Sequence, residues 1–260
     1  MLKTLGKVGL FLLIPVLLFS ICNYAYTSGI FNLRDVTVHG CKEVNPAQVE
    51  EIIRQEFPQN ILRIDLRELK KRLEKVTWIK HVEIRRILPS DMIIDVQERI
   101  PSVILEMNNE LMIADTEGIV LDRYAPRFGK LDVPVFRGIM GEDVETYQLY
   151  QDENTARINQ GLVMLKEIES GSPGYTKYIS EVDISDRKNL KIMLVDDTAE
   201  VQMGEKDYLN RFLVLMKYRD QYRELKNQNN DIASIDMRFE GQIVYQPSHK
   251  SAINNSKVNR

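Results

Sequence analysis

The residues of this chain best suited to chemistry are three histidines, two cysteines and two acidic pairs. His39-Gly40-Cys41 brings an imidazole and a thiol together, which is the start of a metal-ligand pattern. A structural zinc site needs about four such ligands, and the other cysteine, Cys22, falls in a long apolar run. His81 belongs to the solvent face of an expected strand, and His249 to a polar tail. The spacing therefore reads as a surface imidazole and a partly buried thiol, with no metal. Asp196-Asp197 and Glu142-Asp143 could be the paired carboxylates of a hydrolase. Each pair falls at a turn or loop, where aspartate is favoured for backbone reasons, and a hydrolase would also need a pocket with convergent polar groups. Arg85-Arg86 could meet lipid headgroups, but the end of a solvated strand accounts for it as well. No Gly-x-Ser-x-Gly, phosphate loop or dinucleotide fingerprint occurs. The expectation is a chain without an active site and without a cofactor.

Of the 260 residues, 43% are hydrophobic and 28% charged, and the formal net charge is −3. That balance is globular and offers no global attraction to nucleic acid. Two cysteines cannot staple a scaffold, so a core must hold the fold. One stretch differs: no charged residue occurs from Val8 to Leu33. Val8 to Tyr26 is long enough for a helix to cross a bilayer core, at about 1.5 Å of rise per residue. Lys3 and Lys7 flank it on one side and the cancelling pair Arg34-Asp35 on the other. That asymmetry puts residues 1–7 in the cytoplasm and the bulk of the chain outside. A cleaved signal peptide is the rival, but Ala25 has no small partner two positions away. Ile21 before Cys22 is too large for a lipoprotein site, so residues 8–26 read as an uncleaved anchor.

Beyond the anchor the expected order is strand, helix, helix, strand, strand. Val36 and Val38 alternate with polar neighbours up to Gly40. Asn45-Pro46 opens a helix as cap and first residue, with Gln48 at the capping-box place. Its stripe is Val49, Ile52, Ile53 and Phe57. Asp65 opens a second helix with Leu66, Leu69, Leu73 and Val76 on one face. Trp78, Val82 and Ile84 then share a strand face that Lys80 interrupts, and Met92, Ile94 and Val96 return after Leu88-Pro89-Ser90. Two helices on a three-stranded sheet would bury both stripes. Glu98-Arg99 ends that sheet, and Pro101, which cannot donate to a ladder, marks a boundary. Glu98, Arg99 and Pro101 are expected to fix the junction between two domains.

From Ser102 on, short strands dominate: 103–107, 111–114, 119–121 and 133–136. A helix follows over 152–170, with Ile158, Leu162, Leu165 and Ile168 on one face. Strands resume over 178–185, 190–195 and 199–203. A helix over 205–225 carries Leu209, Phe212, Leu213 and Met216, and a hairpin closes the pattern, with strands around Ile235–Phe239 and Gln242–Gln246 and a turn at Glu240-Gly241. The polar tail 247–260 is expected to be disordered. The last strand is a candidate sheet edge whose Gln242-Ile243-Val244-Tyr245 lacks the Lys, Pro or bulge that usually blunts one. An extended partner segment could add to it, unless the tail folds back over it. Arg219, Arg238, Phe239, Gly241, Gln242, Ile243, Val244 and Tyr245 are the expected binding residues, with Arg219 and Arg238 set to pair with acidic partner groups.

The blocks VTVHGCKEVNPAQVEEII and WIKHVEIRRILPSDMIIDVQERIP resemble the two halves of a POTRA domain. DTEGIVLD, ISEVDIS, LKIMLVDDTAEVQMG and IDMRFEGQIVYQ, in order behind one anchor, resemble the β domain of the bacterial cell-division family FtsQ/DivIB. The resemblance covers nearly the whole chain. It departs at the short N-terminal end and at Gln246, where some members carry aromatic residues. It implies an α+β fold: one transmembrane helix at 8–26, a βααββ POTRA domain at 33–100 and an FtsQ-type β domain at 101–246. It also implies a non-enzymatic scaffold at the division septum, in the cytoplasmic membrane. The β domain would bind coiled-coil partners like FtsB and FtsL and help control septal wall synthesis, and the POTRA domain would meet other division proteins. A POTRA-bearing adaptor of envelope secretion or assembly is the alternative; its loss would impair export rather than produce filamentous cells.

Overall fold

The computed structural model describes residues 14–21, 23, 24, 27, 29–129, 131, 133–227, 232–239 and 242–247. It divides into one compact unit through Arg99 and another from Ile100. The expected cytoplasmic end, much of the expected span 8–26, the Glu240-Gly241 turn and residues 248–260 lie outside the described residues. Residues 14–21 are helical with exposed apolar side chains. Among the described residues, no helix is long and apolar enough to cross a membrane.

In the first unit, strand β1 (Asp35–His39) leads to helix α1 (Pro46–Glu56). Asn45 caps α1 by accepting the Ala47 N–H, and Pro46 sits where its missing N–H costs nothing. The expected capping box through Gln48 is replaced by a backbone bond from the Gln48 N–H to the Asn45 carbonyl. Asp65 caps helix α2 (Leu66–Leu73), accepting from the Arg67 and Glu68 N–H groups. Strands β2 (Ile79–Ile87) and β3 (Asp91–Glu98) complete a sheet in the order β1-β3-β2, with β1 parallel and β2 antiparallel to β3. Val49, Ile52 and Ile53 of α1 bury with Leu69 and Leu73 of α2 against Val82, Met92 and Ile94. The Lys80 anomaly has a physical cause. The β2–β3 register shifts between Ile79 and His81, and such a bulge inserts one residue and reverses the alternation. Ile79 therefore takes the buried place assigned to the Trp78 side, and Lys80 is exposed.

The second unit is built on a nine-stranded sheet among the described residues. Its strands are β4 (Val103–Met107), β5 (Glu110–Ala114), β6 (Val120–Arg123), β7 (Val135–Arg137), β8 (Ile179–Asp183), β9 (Leu190–Leu194), β10 (Glu200–Gly204), β11 (Ile232–Asp236) and β12 (Val244–Pro247). They run in the order β12-β11-β10-β9-β8-β7-β4-β5-β6. Asn108 and Asn109 both have positive φ in the two-residue β4–β5 turn, which matches the right-handed strand twist. Leu190, Ile192 and Leu194 alternate inward, as does Phe136, to a core shared with Ile158, Met164 and Ile168. These last three lie on helix α4 (Gln151–Gly171). A Cβ at Gly161 would stand 2.8 Å from the Phe136 ring, so the absent side chain lets α4 approach the sheet.

Two helical expectations change. A short helix α3 (Val144–Leu149), capped by Asp143 and Thr146, precedes α4 where none was expected. The single helix over 205–225 is two, α5 (Tyr208–Lys217) and α6 (Arg219–Asn227), broken at Tyr218. The buried face of α5 is Tyr208, Phe212 and Leu215 rather than the expected Leu209-Phe212-Leu213-Met216 stripe, and Leu213 is exposed. The sequence holds apolar residues nearly all round α5, so periodicity could not choose the face. The strand expected to reach Phe239 stops at Asp236. Its carboxylate accepts both the backbone N–H and the guanidinium of Arg238, which turns the chain away.

Candidate functional site

Strand β12 is an edge: among the described residues it pairs with β11 alone, antiparallel, with Ile235 opposite Tyr245 and Asp236 opposite Val244. The alternation gives its two faces different work. Ile243 and Tyr245 pack on the core. Val244 and Gln246 are exposed, and Phe239, just before the expected turn, is 54% exposed. No charged residue occurs from Gln242 to Pro247. Pro247 is itself the last residue of β12 and shortens the row of available donors.

Beside the edge is a cleft of about 590 Å³, lined by the basic Lys206, Arg211 and Arg238, the acidic Asp207, and Asn210, Val214, Met237, Phe239 and Gln242. Arg211 reaches across it to the Met203 carbonyl and, at 3.3 Å, to the Arg238 carbonyl. Gln242 and Phe239 thus face a groove with an excess of basic groups. Lys206 and Arg211 were missed in the sequence because neither belongs to the strand pattern. A basic pair around the start of an amphipathic helix was the available signal.

The two arginines expected to pair with a partner already have internal partners. Arg238 forks onto Asp236, with its Nη2 2.6 Å from Oδ2. The guanidinium holds the Asp236 carboxyl below its ordinary value. Arg219 is mostly buried, bonds Asp196 at 2.6 Å and lies 5.0 Å from the centre of the Tyr178 ring. Gly241 lies outside the described residues.

At the expected junction, Glu98 has a clear local task. Its carboxylate accepts the backbone N–H groups of Lys42, Glu43 and Val44 at 2.8–3.2 Å. Burial alone would raise its pKa, but these bonds to the charged form lower it. Gly40 makes this possible. It has φ +85°, and a Cβ there would stand 2.0 Å from the Val96 carbonyl oxygen. Arg99 donates its backbone N–H to the Trp78 carbonyl. The charged end of β3 therefore ties the β1–α1 loop to its own sheet.

As to chemistry, no group of three or more His, Cys, Asp or Glu among the described residues could hold a metal ion. Cys41 is a free, half-buried thiol whose pKa burial and then Glu98 push up, away from thiolate reactivity. Asp143 caps α3, and Asp196-Asp197 forms ion pairs with α6.

A model of the FtsQ-type POTRA domain matches residues 31–99, and a model of the C-terminal domain of cell division protein FtsQ/DivIB matches residues 103–238. Among curated proteins, the chain is similar to cell division protein FtsQ of Koribacter versatilis, 26% identical over 220 residues. That match covers 84% of this chain and 61% of the relative. The FtsQ protein of Syntrophotalea carbinolica is 26% identical over 71% of this chain and 63% of its own length. That of Rickettsia typhi is 25% identical over 76% and 71%. The chain thus spans about three fifths of the length of the first two relatives.

Proposed function

The chain belongs to the FtsQ/DivIB cell-division family, and on that premise we propose that it is a non-enzymatic scaffold of the division machinery, anchored in the cytoplasmic membrane and acting at the septum. Its second unit captures an FtsB-like partner, with FtsL in the same assembly, and so takes part in controlling septal wall synthesis. The POTRA unit contacts other division components. The observation that carries this reading is the neutral edge strand β12, with Val244 and Phe239 exposed beside a basic cleft. Main-chain pairing along β12 would supply affinity, and side chains in the cleft would supply register. The exposed apolar residues of the 14–21 helix, with Leu17 at 62% and Phe19 at 73%, support the anchor at residues 8–26.

One preparation tests both parts. Membranes from cells expressing the full chain are washed with alkaline carbonate and solubilised in detergent. The chain is then used to capture the FtsB-like protein of the same organism. The expected result is a chain retained in the washed membranes, and a Val244→Pro variant that folds by circular dichroism but captures nothing. Proline removes one donor and blocks an added strand. Release by carbonate would overturn the anchor, and undiminished capture by the folded variant would overturn the edge.

A further inference from the structure

Helix α6 is nine residues long, and Tyr222 is its one fully buried side chain among those described. A helix so short is marginal in water by itself, so something outside it must hold it. That role falls to the β9–β10 turn. Arg219 and Arg223 both pair with Asp196, and the Lys226 Nζ lies 2.5 Å from the Asp197 Oδ1. Asp197 Oδ1 also accepts, at 2.8 Å, from the Ala199 N–H. On its other side, the Tyr222 ring stacks on Tyr245 of β12, with centroids 5.7 Å apart and planes within 13°. A path of direct contacts therefore runs from an acidic turn, through a basic helix face, to the inward face of the edge strand.

We propose that Asp196 and Asp197 are positioning residues for partner capture: their ion pairs hold α6, and α6 holds β12 through the Tyr222–Tyr245 stack. This rests on the reading of β12 as the docking edge. The clamp touches no partner. It sets how often the edge strand is ordered on β11 and ready to pair, so part of the salt dependence of capture arises inside this chain. The side chain of Asp197 is 8% exposed and that of Lys226 25%, so this pair is screened less than a surface pair. Asp196 is more open, at 40%.

Amide hydrogen exchange on the full chain in detergent, without partner, tests the clamp. In an Asp196→Asn/Asp197→Asn variant, the protected amides of β11 and β12 are expected to exchange at least ~10-fold faster while those of β8 and β9 hold, as local opening predicts. The milder Lys226→Gln serves if the double variant does not fold. Swapping the pair, with Asp197→Lys and Lys226→Asp together, should return the rate toward that of the native chain. Unchanged exchange at β11 and β12 overturns the clamp whatever the partner does. Equal acceleration across the whole sheet also overturns it, because the role would then be general stability. Faster exchange with undiminished capture of the FtsB-like partner leaves the clamp standing and defeats the edge reading on which it rests.

Discussion

The two edges of the large sheet differ in how they are protected. Strand β6 at one end presents Asp122 and Arg123, which pair with Arg127 and Glu110, and Pro126 follows shortly after. Strand β12 at the other end is equally short and carries no charge; its one blunting residue is Pro247, the last of the strand. Natural sheets blunt exposed edges with charge and proline because an unguarded row of donors and acceptors recruits other strands. One sheet with one guarded and one neutral edge points to selective use of the second. Asp122 and Arg123 give β6 the kind of charge that blunts an edge, while Tyr245 of β12 packs partly buried on the core and stacks on Tyr222 of α6. Surface ion pairs such as those on β6 contribute about 0–1 kcal/mol each, so their value there lies in repelling strands rather than in stability.

The largest effect is expected from giving β12 the character of β6. Val244→Lys with Gln246→Lys places two charges on the outward face; both side chains are exposed, and the one bond given up is that which Gln246 accepts from the Ser234 hydroxyl. Capture of the FtsB-like partner should fall on the order of 100-fold, the scale of a lost hot spot of about 2–3 kcal/mol. Thermal unfolding should change little, as is usual for exposed positions, at about 0.5 kcal/mol. Capture within threefold of native in a titration would remove the distinction between the edges. A smaller effect should follow from stripping the guard: Asp122→Thr with Arg123→Thr should let β6 pair with a second copy. Sedimentation velocity in detergent should show more concentration-dependent dimer for this variant than for the native chain. A monomeric variant would mean that the charges of β6 do not protect it.

The smallest effect is a pH dependence read at the β12 side. Burial alone would raise the pKa of Asp197, but Lys226 and the Ala199 N–H outweigh it and hold the carboxyl below its ordinary 3.8. A carboxylate with a depressed folded pKa contributes stability that is complete above its unfolded value and is lost as pH falls through the folded one. Protection of the β11–β12 amides should therefore be flat from about pH 7 to 5 and decline below about 4. Asp197→Asn should flatten that decline. An equally steep acid loss in the variant would assign it to other groups.

Much of this was legible along the chain, and the reasons differ by region. In the first unit the helix caps Asn45 and Asp65, the stripes of α1 and α2 and the order βααββ follow from local chemistry. Caps and amphipathic periods are written within a few residues. The β2 bulge was visible only as an anomaly at Lys80, because register depends on the partner strand. In the second unit most strands could be placed to within a few residues. Their order could not, since β4 lies beside β7 and β10 beside β11 through parallel pairings that span many residues. The neutral edge was readable because charge and proline are one-residue signals. The engagement of Arg219 was not. The basic spacing Arg219, Arg223 and Lys226 with Tyr222 between shows a helical face, but only the fold shows that Asp196-Asp197 lies against it.

The sequence by itself determined the family, the α+β class, the element types and the absence of charge on the last strand, because each is fixed by residue type and short-range period. The tertiary structure decided which face of α5 is buried, where the long helix breaks and which guanidinium groups are already paired. It also decided that the acidic turn is ion-paired with α6 and is not a lone solvent-facing pair. These outcomes depend on contacts between residues far apart in the chain. Burial and ion pairing are properties of three-dimensional neighbours, and a linear pattern names the groups available without naming which of them meet.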